Sequence, residues 1–162
     1  MNLIEDIAGE LCRILLPIEE EVFFGDPKSN ITICTLSSMN LLKDISKSSI
    51  IGEVAIAGRL LSENKGIDSL VRSVISNEKI DTIILCGKDT LGHKPGDSLL
   101  CLYKNGIDVN HKIIGSASPH PILTVSKKEV SKFQGQVKII NKIGATNISE
   151  LKSMIETLRQ TQ

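Results

Sequence analysis

From residue 31 onward, short apolar runs alternate with amphipathic stretches, and no other feature of the chain constrains its fold as strongly. Five runs read as strands: Ile31 to Leu36, Val54 to Ala57, Thr82 to Cys86, Lys112 to Gly115 and Val137 to Ile140. Helical spacing fills the gaps: Leu41, Leu42 and Ile45 after a Ser37-Ser38 cap, the stripe Ile67, Leu70, Val71, Val74 and Ile75, residues 97–104 up to Asn105-Gly106, and Ser126 to Phe133. A last helix follows Asn147-x-x-Glu150, with Leu151, Met154, Ile155 and Leu158 inward. Strands separated by helices pair in parallel, because each crossover carries the chain back over one face of the sheet. The pattern predicts an α/β three-layer sandwich, a mostly parallel sheet of five to six strands with helices on both faces. Ahead of it, residues 2–16 place Leu3, Ile4, Ile7, Leu11 and Leu15 on one helical stripe that stops at Pro17. Glu19-Glu20-Glu21 reads as a solvated turn and Gly25-Asp26-Pro27 as a loop.

At 162 residues the chain makes one domain, 1–162, with enough apolar residues for a real core. Its 19 acidic and 19 basic residues cancel, and one Tyr, three Phe and no Trp leave few stacking platforms, which argues against nucleic-acid binding. Cys12, Cys34, Cys86 and Cys101 form no Cys-x-x-Cys pair, which suits reduced thiols in a cytoplasmic protein rather than disulfides or a zinc site. No signal peptide is evident and no apolar stretch of about 18 residues is present to span a bilayer.

In a parallel sheet the loops at the carboxyl ends of the strands are where ligands bind. The run Ile83-Ile84-Leu85 ends at Cys86-Gly87 and enters a polar loop, Lys88 to Gly96, holding Thr90, Gly92 and His93, before a helix from Ser98. A neutral imidazole offers a lone pair to a metal, and Gly92 and Gly96 remove bulk where a flat ligand would approach. One histidine cannot build a protein-only zinc site, but it suffices where a cofactor supplies the other ligands. Thr35 to Met39 (with Ser37), Gly58-Arg59, Ser62 to Gly66 (with Asn64) and Gly115-Ser116-Ala117 reach the same edge, with hydroxyls and amides for polar ligand groups. Arg59 and Glu63 read as solvated charges, His111 and His120 as surface or turn residues. Neither a phosphate-binding P-loop nor a Gly-x-Gly-x-x-Gly fingerprint occurs, and no hydrolytic triad can be argued from spacing.

Several blocks resemble the A subunit of tetrahydromethanopterin S-methyltransferase. They are Gly58 with Ser62-Glu63-Asn64-x-Gly66-Ile67, Val74-Ile75-Ser76-Asn77, Ile84-Leu85-Cys86-Gly87, Gly92-His93-x-x-Gly96-x-Ser98, Asn105-Gly106-Ile107-Asp108, Ile113-Ile114-Gly115 and Phe133-Gln134-x-Gln136-Val137. Gly25-Asp26-Pro27 fits too, and the similarity is collinear over roughly residues 23–140. The resemblance implies a Rossmann-like fold that binds a cobamide (cobalamin or 5-hydroxybenzimidazolyl cobamide). It implies a cobalt that takes a methyl group from methyl-tetrahydromethanopterin and passes it to coenzyme M, with other methyltransferase subunits delivering and accepting the group. The family's lower axial ligand falls on His93, and Gly87, Thr90, Gly92, Gly96, Ser98, Thr35, Ser37, Gly58, Asn64, Gly115 and Ala117 are the candidate cofactor contacts.

This chain departs from the family in three places. Where membrane-bound members carry a C-terminal spanning helix, a polar amphipathic helix is expected here, as in a truncated fragment or a soluble relative, and Ser118-Pro119-His120-Pro121-Ile122 replaces a glycine-rich, tyrosine-containing segment. Of the Asp-x-His-x-x-Gly motif of other cobalamin-dependent methyltransferases only the second half is present, with Leu91 at the Asp position, so a carboxylate for His93 is expected from elsewhere, Asp89 or Asp97. The alternative reading is a small-molecule or nucleotide-binding regulatory module of the same fold that has lost cobamide binding. A self-sufficient methyltransferase is disfavoured, because no activating acid, base or zinc site is recognisable.

Overall fold

The computed structural model describes residues 22–161. The helix expected over 2–16 and the glutamate turn lie outside the described residues, as does Cys12. The sheet has five strands in the order β1 (Val22–Phe24), β3 (Ile56–Gly58), β2 (Ile31–Cys34), β4 (Thr82–Gly87), β5 (Lys138–Ile143). At its centre β2 (Ile31–Cys34) and β4 (Thr82–Gly87) run parallel, with Ile31 opposite Thr82 and Cys34 opposite Leu85. Every residue of both strands is buried, as expected of apolar runs covered on two faces. The short β3 (Ile56–Gly58) pairs parallel with β2, and β5 (Lys138–Ile143) pairs parallel with β4.

The three-layer sandwich is present. Side chains alternate across each strand. Ile83 and Leu85 join one core with α2 (Lys65–Ser76), α3 (Pro95–Asn105) and α4 (Lys127–Gln136), through Ile67, Val71, Leu99, Leu102 and Phe133. Ile84 and Cys86 join the opposite core with α1 (Met39–Lys47) and α5 (Ile148–Gln160), through Leu42, Ile45, Leu151 and Ile155. Each such fully buried aliphatic side chain contributes roughly 1.5–3 kcal/mol.

Two differences from the expected strands have physical causes. β1 (Val22–Phe24), antiparallel to β3 at the edge, is only three residues long, too short to show an alternation. Lys112 to Gly115 is not a strand of the sheet: it makes isolated antiparallel bridges, Ile107 to Ile113 and Lys112 to Ile122. The edge of β4 that it would need is filled by β5, paired from Thr82–Lys138 to Gly87–Ile143. Asp108 Oδ1 accepts from the amides of Asn110 (2.8 Å) and Lys112 (3.0 Å), and His111 sits at φ 61°, so the chain turns back on itself over 107–123. A smaller shift affects Val54 to Ala57, where the strand starts at Ile56 because a 3-10 turn, Ser49–Glu53, precedes it.

Ser126 and Glu129 form a reciprocal capping box at α4, and Asn147 Oδ1 accepts from the Ser149 amide at α5 (2.8 Å). Ser38 stands at the start of α1 as expected, but its side chain makes no capping bond; its Oγ accepts from the Lys88 amide at 2.9 Å instead. That bond ties the loop after β2 to the loop after β4.

Candidate functional site

After β2 the chain passes to α1 on one face, and after β4 it passes to α3 on the other. The carboxyl ends of these neighbouring strands therefore form the switch point of the sheet, where ligands of open α/β folds bind. Two of the three non-glycine residues with left-handed backbone among the described residues lie on these loops, Leu36 (φ 51°) and Lys94 (φ 42°). Such strain persists only where the surroundings over-determine it.

His93 lies at this edge with its side chain 56% exposed, and its Nδ1 is 3.1 Å from Glu63 Oε2 and 3.3 Å from Oε1. Glu63 itself is only 2% exposed, so the expectation of a solvated charge is overturned. Burial alone would raise its carboxyl pKa, but bonds from its own backbone, the His93 ring and the His120 amide, with the charge of His93, hold it below the usual carboxylate range. The His120 amide donates to Oε1 at 3.1 Å. With Nδ1 facing the carboxylate as the donor, Nε2 of the partly exposed ring is left available.

The carboxylate partner of His93 is thus Glu63, from the loop after β3, and not Asp89 or Asp97. Asp89 is occupied at the first turn of α3, where its oxygens accept from the amides of Gly96 (3.0 Å) and Asp97 (3.0 Å).

The other expected contacts divide into two groups. Gly92 stands at φ 87° with open space where a Cβ would project. Thr90 is half-buried, and its Oγ1 finds no partner among the described residues. Asn64 starts α2, its Oδ1 accepting from the Lys65 amide (2.7 Å) and its Nδ2 donating to the His120 carbonyl (3.4 Å). Gly115 and Ala117 are exposed. Of the rest, Gly96, Thr35, Gly87 and Ser98 are buried, while Ser37 and Gly58 are half-buried. Gly96 is buried, and its missing side chain makes room for Leu36 and Asp89 rather than for a ligand. Thr35 is fully buried with its hydroxyl on the Gly58 carbonyl (3.3 Å), and Ser37 donates to the Lys88 carbonyl (2.6 Å). Gly87 is packed against the Thr35 carbonyl, and Ser98, fully buried, bonds to Ser116 (2.7 Å) and Ser118 (2.6 Å).

Arg59, also read as a solvated charge, is half-buried: its Nη2 donates to the Ser37 carbonyl (3.3 Å) and its Nε has no partner among the described residues. Sequence reasoning missed both Arg59 and Glu63. The available signal was position, since both lie on the segment between β3 and α2, on the edge that carries His93.

A protein-held metal finds no ligand set here, because no group of three or more His, Cys, Asp or Glu side chains is placed to hold an ion among the described residues. A cofactor that brings its own equatorial ligands fits the donors present. An imidazole with a free nitrogen, the unpartnered Thr90 Oγ1 and Arg59 Nε, and the open face at Gly92 share one edge. Cys34 and Cys86 are buried thiols, and burial pushes both up to about 12, which keeps them unreactive. No helix among the described residues is long and apolar enough to cross a membrane.

Relatives similar to this chain are named as A subunits of methyltransferases. The family of the A subunit of tetrahydromethanopterin S-methyltransferase matches residues 16–162. A protein of Methanosarcina barkeri, named as the A subunit of a candidate methyltransferase Mtx, is 35% identical over 132 residues, 81% of this chain and 63% of its own length. The tetrahydromethanopterin S-methyltransferase A subunit of Methanosphaera stadtmanae is 34% identical over 134 residues, 82% of this chain and 52% of its own length. The first of the numbered A subunits of the same enzyme in Methanothermobacter marburgensis is 31% identical over 141 residues, 86% of this chain and 57% of its own length. The chain therefore spans only about half to two thirds of the length of these relatives. With the family matched over nearly its whole length, the chain belongs to the family of tetrahydromethanopterin S-methyltransferase A subunits.

Proposed function

We propose that this chain is the cobamide-binding, methyl-carrying subunit of a methyltransferase, with His93 Nε2 as the protein atom that would hold the cobalt. The observation that carries this reading is the Glu63–His93 pair, a buried carboxylate 3.1 Å from Nδ1 of a half-exposed ring. A carboxylate on the far nitrogen fixes the tautomer and direction of a metal-ligating histidine and raises its basicity. When bound, the cobamide would supply a cobalt centre that accepts and releases a methyl group. Thr90 Oγ1 and Arg59 Nε supply the unpartnered polar groups nearest in the chain to this pair, and Gly92 leaves its approach open.

The names of the relatives point to a methyl group drawn from tetrahydromethanopterin and delivered to a thiol sulfur, with coenzyme M as the acceptor the resemblance implies. Their designation as A subunits points to partner subunits, which on the implied reading perform the two half-reactions. Burial of Glu63 would hold the His93 ring in its orientation whether or not a cofactor metal is bound.

Adding hydroxocobalamin to purified protein and following the visible spectrum tests the reading. Wild type is expected to give the spectrum of a histidine-ligated corrinoid, and His93→Ala to lack it. A wild-type spectrum identical to that of free cobalamin, or an identical spectrum from His93→Ala across the pH range, would defeat the proposal.

A further inference from the structure

Three hydroxyls lie in contact behind the His93 loop, and their bonding directions can be deduced. Ser118 Oγ is 2.5 Å from the His93 carbonyl oxygen and 3.4 Å from that of Lys94. A carbonyl cannot donate, so the single hydroxyl proton of Ser118 points at His93. At the 2.6 Å contact between Ser118 and Ser98 the proton must then come from Ser98. With that proton used, the 2.7 Å contact between Ser98 and Ser116 must be donated by Ser116. Ser116 Oγ accepts in turn from the Ser118 amide at 3.2 Å, which closes the ring. Ser98 is 0% and Ser118 7% exposed, so water has little access to the bond between them, and aligned hydroxyls polarise one another.

The relay ends on a backbone that needs holding. Lys94 adopts φ 42°, ψ 55° directly before Pro95, where sterics disfavour helical backbone and a side chain resists the left-handed region. The neighbouring segment is also clasped to the other half of the pair. The His120 amide donates to Glu63, and Asn64 Nδ2 donates to the His120 carbonyl. One loop, 116–120, therefore grips the histidine by its backbone and the glutamate by its carboxylate.

We infer that Ser118 is a positioning residue for His93: the directed relay from Ser116 through Ser98 to Ser118 holds the His93 carbonyl and so keeps Nδ1 on Glu63 and Nε2 outward. The functional weight of this relay rests on His93 being the cobalt ligand, but the orientation itself does not.

The test uses the cofactor-free protein, with ring nitrogens of 15N-labelled histidine observed by NMR at alkaline pH. Wild type is expected to show His93 nitrogen shifts well separated, with the proton on Nδ1. In Ser118→Ala these shifts are expected to converge toward the tautomer-averaged position, and in Ser118→Thr, which keeps a hydroxyl, to stay apart. A Ser118→Ala protein that melts earlier but keeps the wild-type ring signature would overturn the inference, since a purely structural hydroxyl predicts that result. If Ser118→Ala does not fold, Ser98→Ala takes its place: it removes the donor to Ser118, partial convergence is expected, and an unchanged signature overturns the relay. Hydroxocobalamin titration separates the two claims. Should wild type bind no cobalamin, the functional reading falls while the ring-nitrogen result stands; should wild type bind it and Ser118→Ala leave the ring unchanged, the inference falls alone.

Discussion

Glu63 illustrates how burial decides what a residue does. In the sequence it is one acid among many, between a serine and an asparagine. In the fold it is 2% exposed and placed between the His93 ring and the His120 amide. Replacing it with glutamine keeps the shape but removes the charge that orders the ring. Glu63→Gln is therefore expected to weaken cobalamin binding by about 10–100-fold, the usual effect of losing such a partner, measured by spectral titration. A wild-type affinity in this variant would show that the pair is incidental. The same carboxylate has a pH signature. Its folded pKa lies below the ordinary value of 4.5, so the ionised form stabilises the fold fully above that value. This contribution disappears as the pH falls through the lower folded pKa. Urea denaturation from neutral pH to pH 3 is expected to show an acid-side loss in wild type that is smaller in Glu63→Gln; parallel profiles would contradict it. His93 was legible because it sits in a polar loop after an unmistakable strand. Its partner was not, because 30 residues separate the two and only the crossover brings them together.

At the scale of elements, α4 shows how polar side chains complete its neighbours. Gln136 Nε2 lies within hydrogen-bond distance of the carbonyls of Val74 (2.8 Å), Asn77 (3.0 Å) and Ile80 (2.9 Å), which share its two protons and close the end of α2 and the turn into β4. Gln134 Nε2 donates to Leu102 (3.0 Å) and Tyr103 (3.1 Å) at the end of α3. Helix ends leave such carbonyls without intrahelical partners, and burying them unpaired is costly. Gln136→Leu should therefore destabilise the protein by about 1–3 kcal/mol in urea denaturation, with cobalamin binding little changed. A neutral effect would mean that water replaces the amide. The Phe133-Gln134-x-Gln136-Val137 block could be read as a resemblance but not as a device, since the accepting carbonyls lie up to 62 residues away. The segment 107–123 carries the same lesson. Lys112 to Gly115 has the composition of a strand, yet β5 takes the place beside β4. The departure at 118–122 holds both Glu63 and His93, through the His120 amide and the Ser118 hydroxyl.

For the molecule as a whole, the central pair β2–β4 sets where the site can be. Gly87 closes β4 at φ 78°, and a Cβ there would lie 2.1 Å from the Thr35 carbonyl oxygen. Left-handed backbone costs about 1–3 kcal/mol for a residue with a side chain, before any clash is counted. Gly87→Ala is expected to lower stability by more than that range and to disturb cobalamin binding with it, because the loops after β2 and β4 are tied together here by Ser37, Ser38 and Lys88. A thermal melt matching wild type would remove the glycine from this role. The sequence by itself determined the layers, the parallel sheet and the edge that carries His93, because apolar periodicity is a local record of which faces are buried. Only the tertiary structure decided the partners: the fifth strand beside β4, the carboxylate behind the imidazole and the hydroxyls behind its backbone. Those choices depend on which distant groups arrive in the same few ångströms, and residue spacing along a chain holds no measure of that.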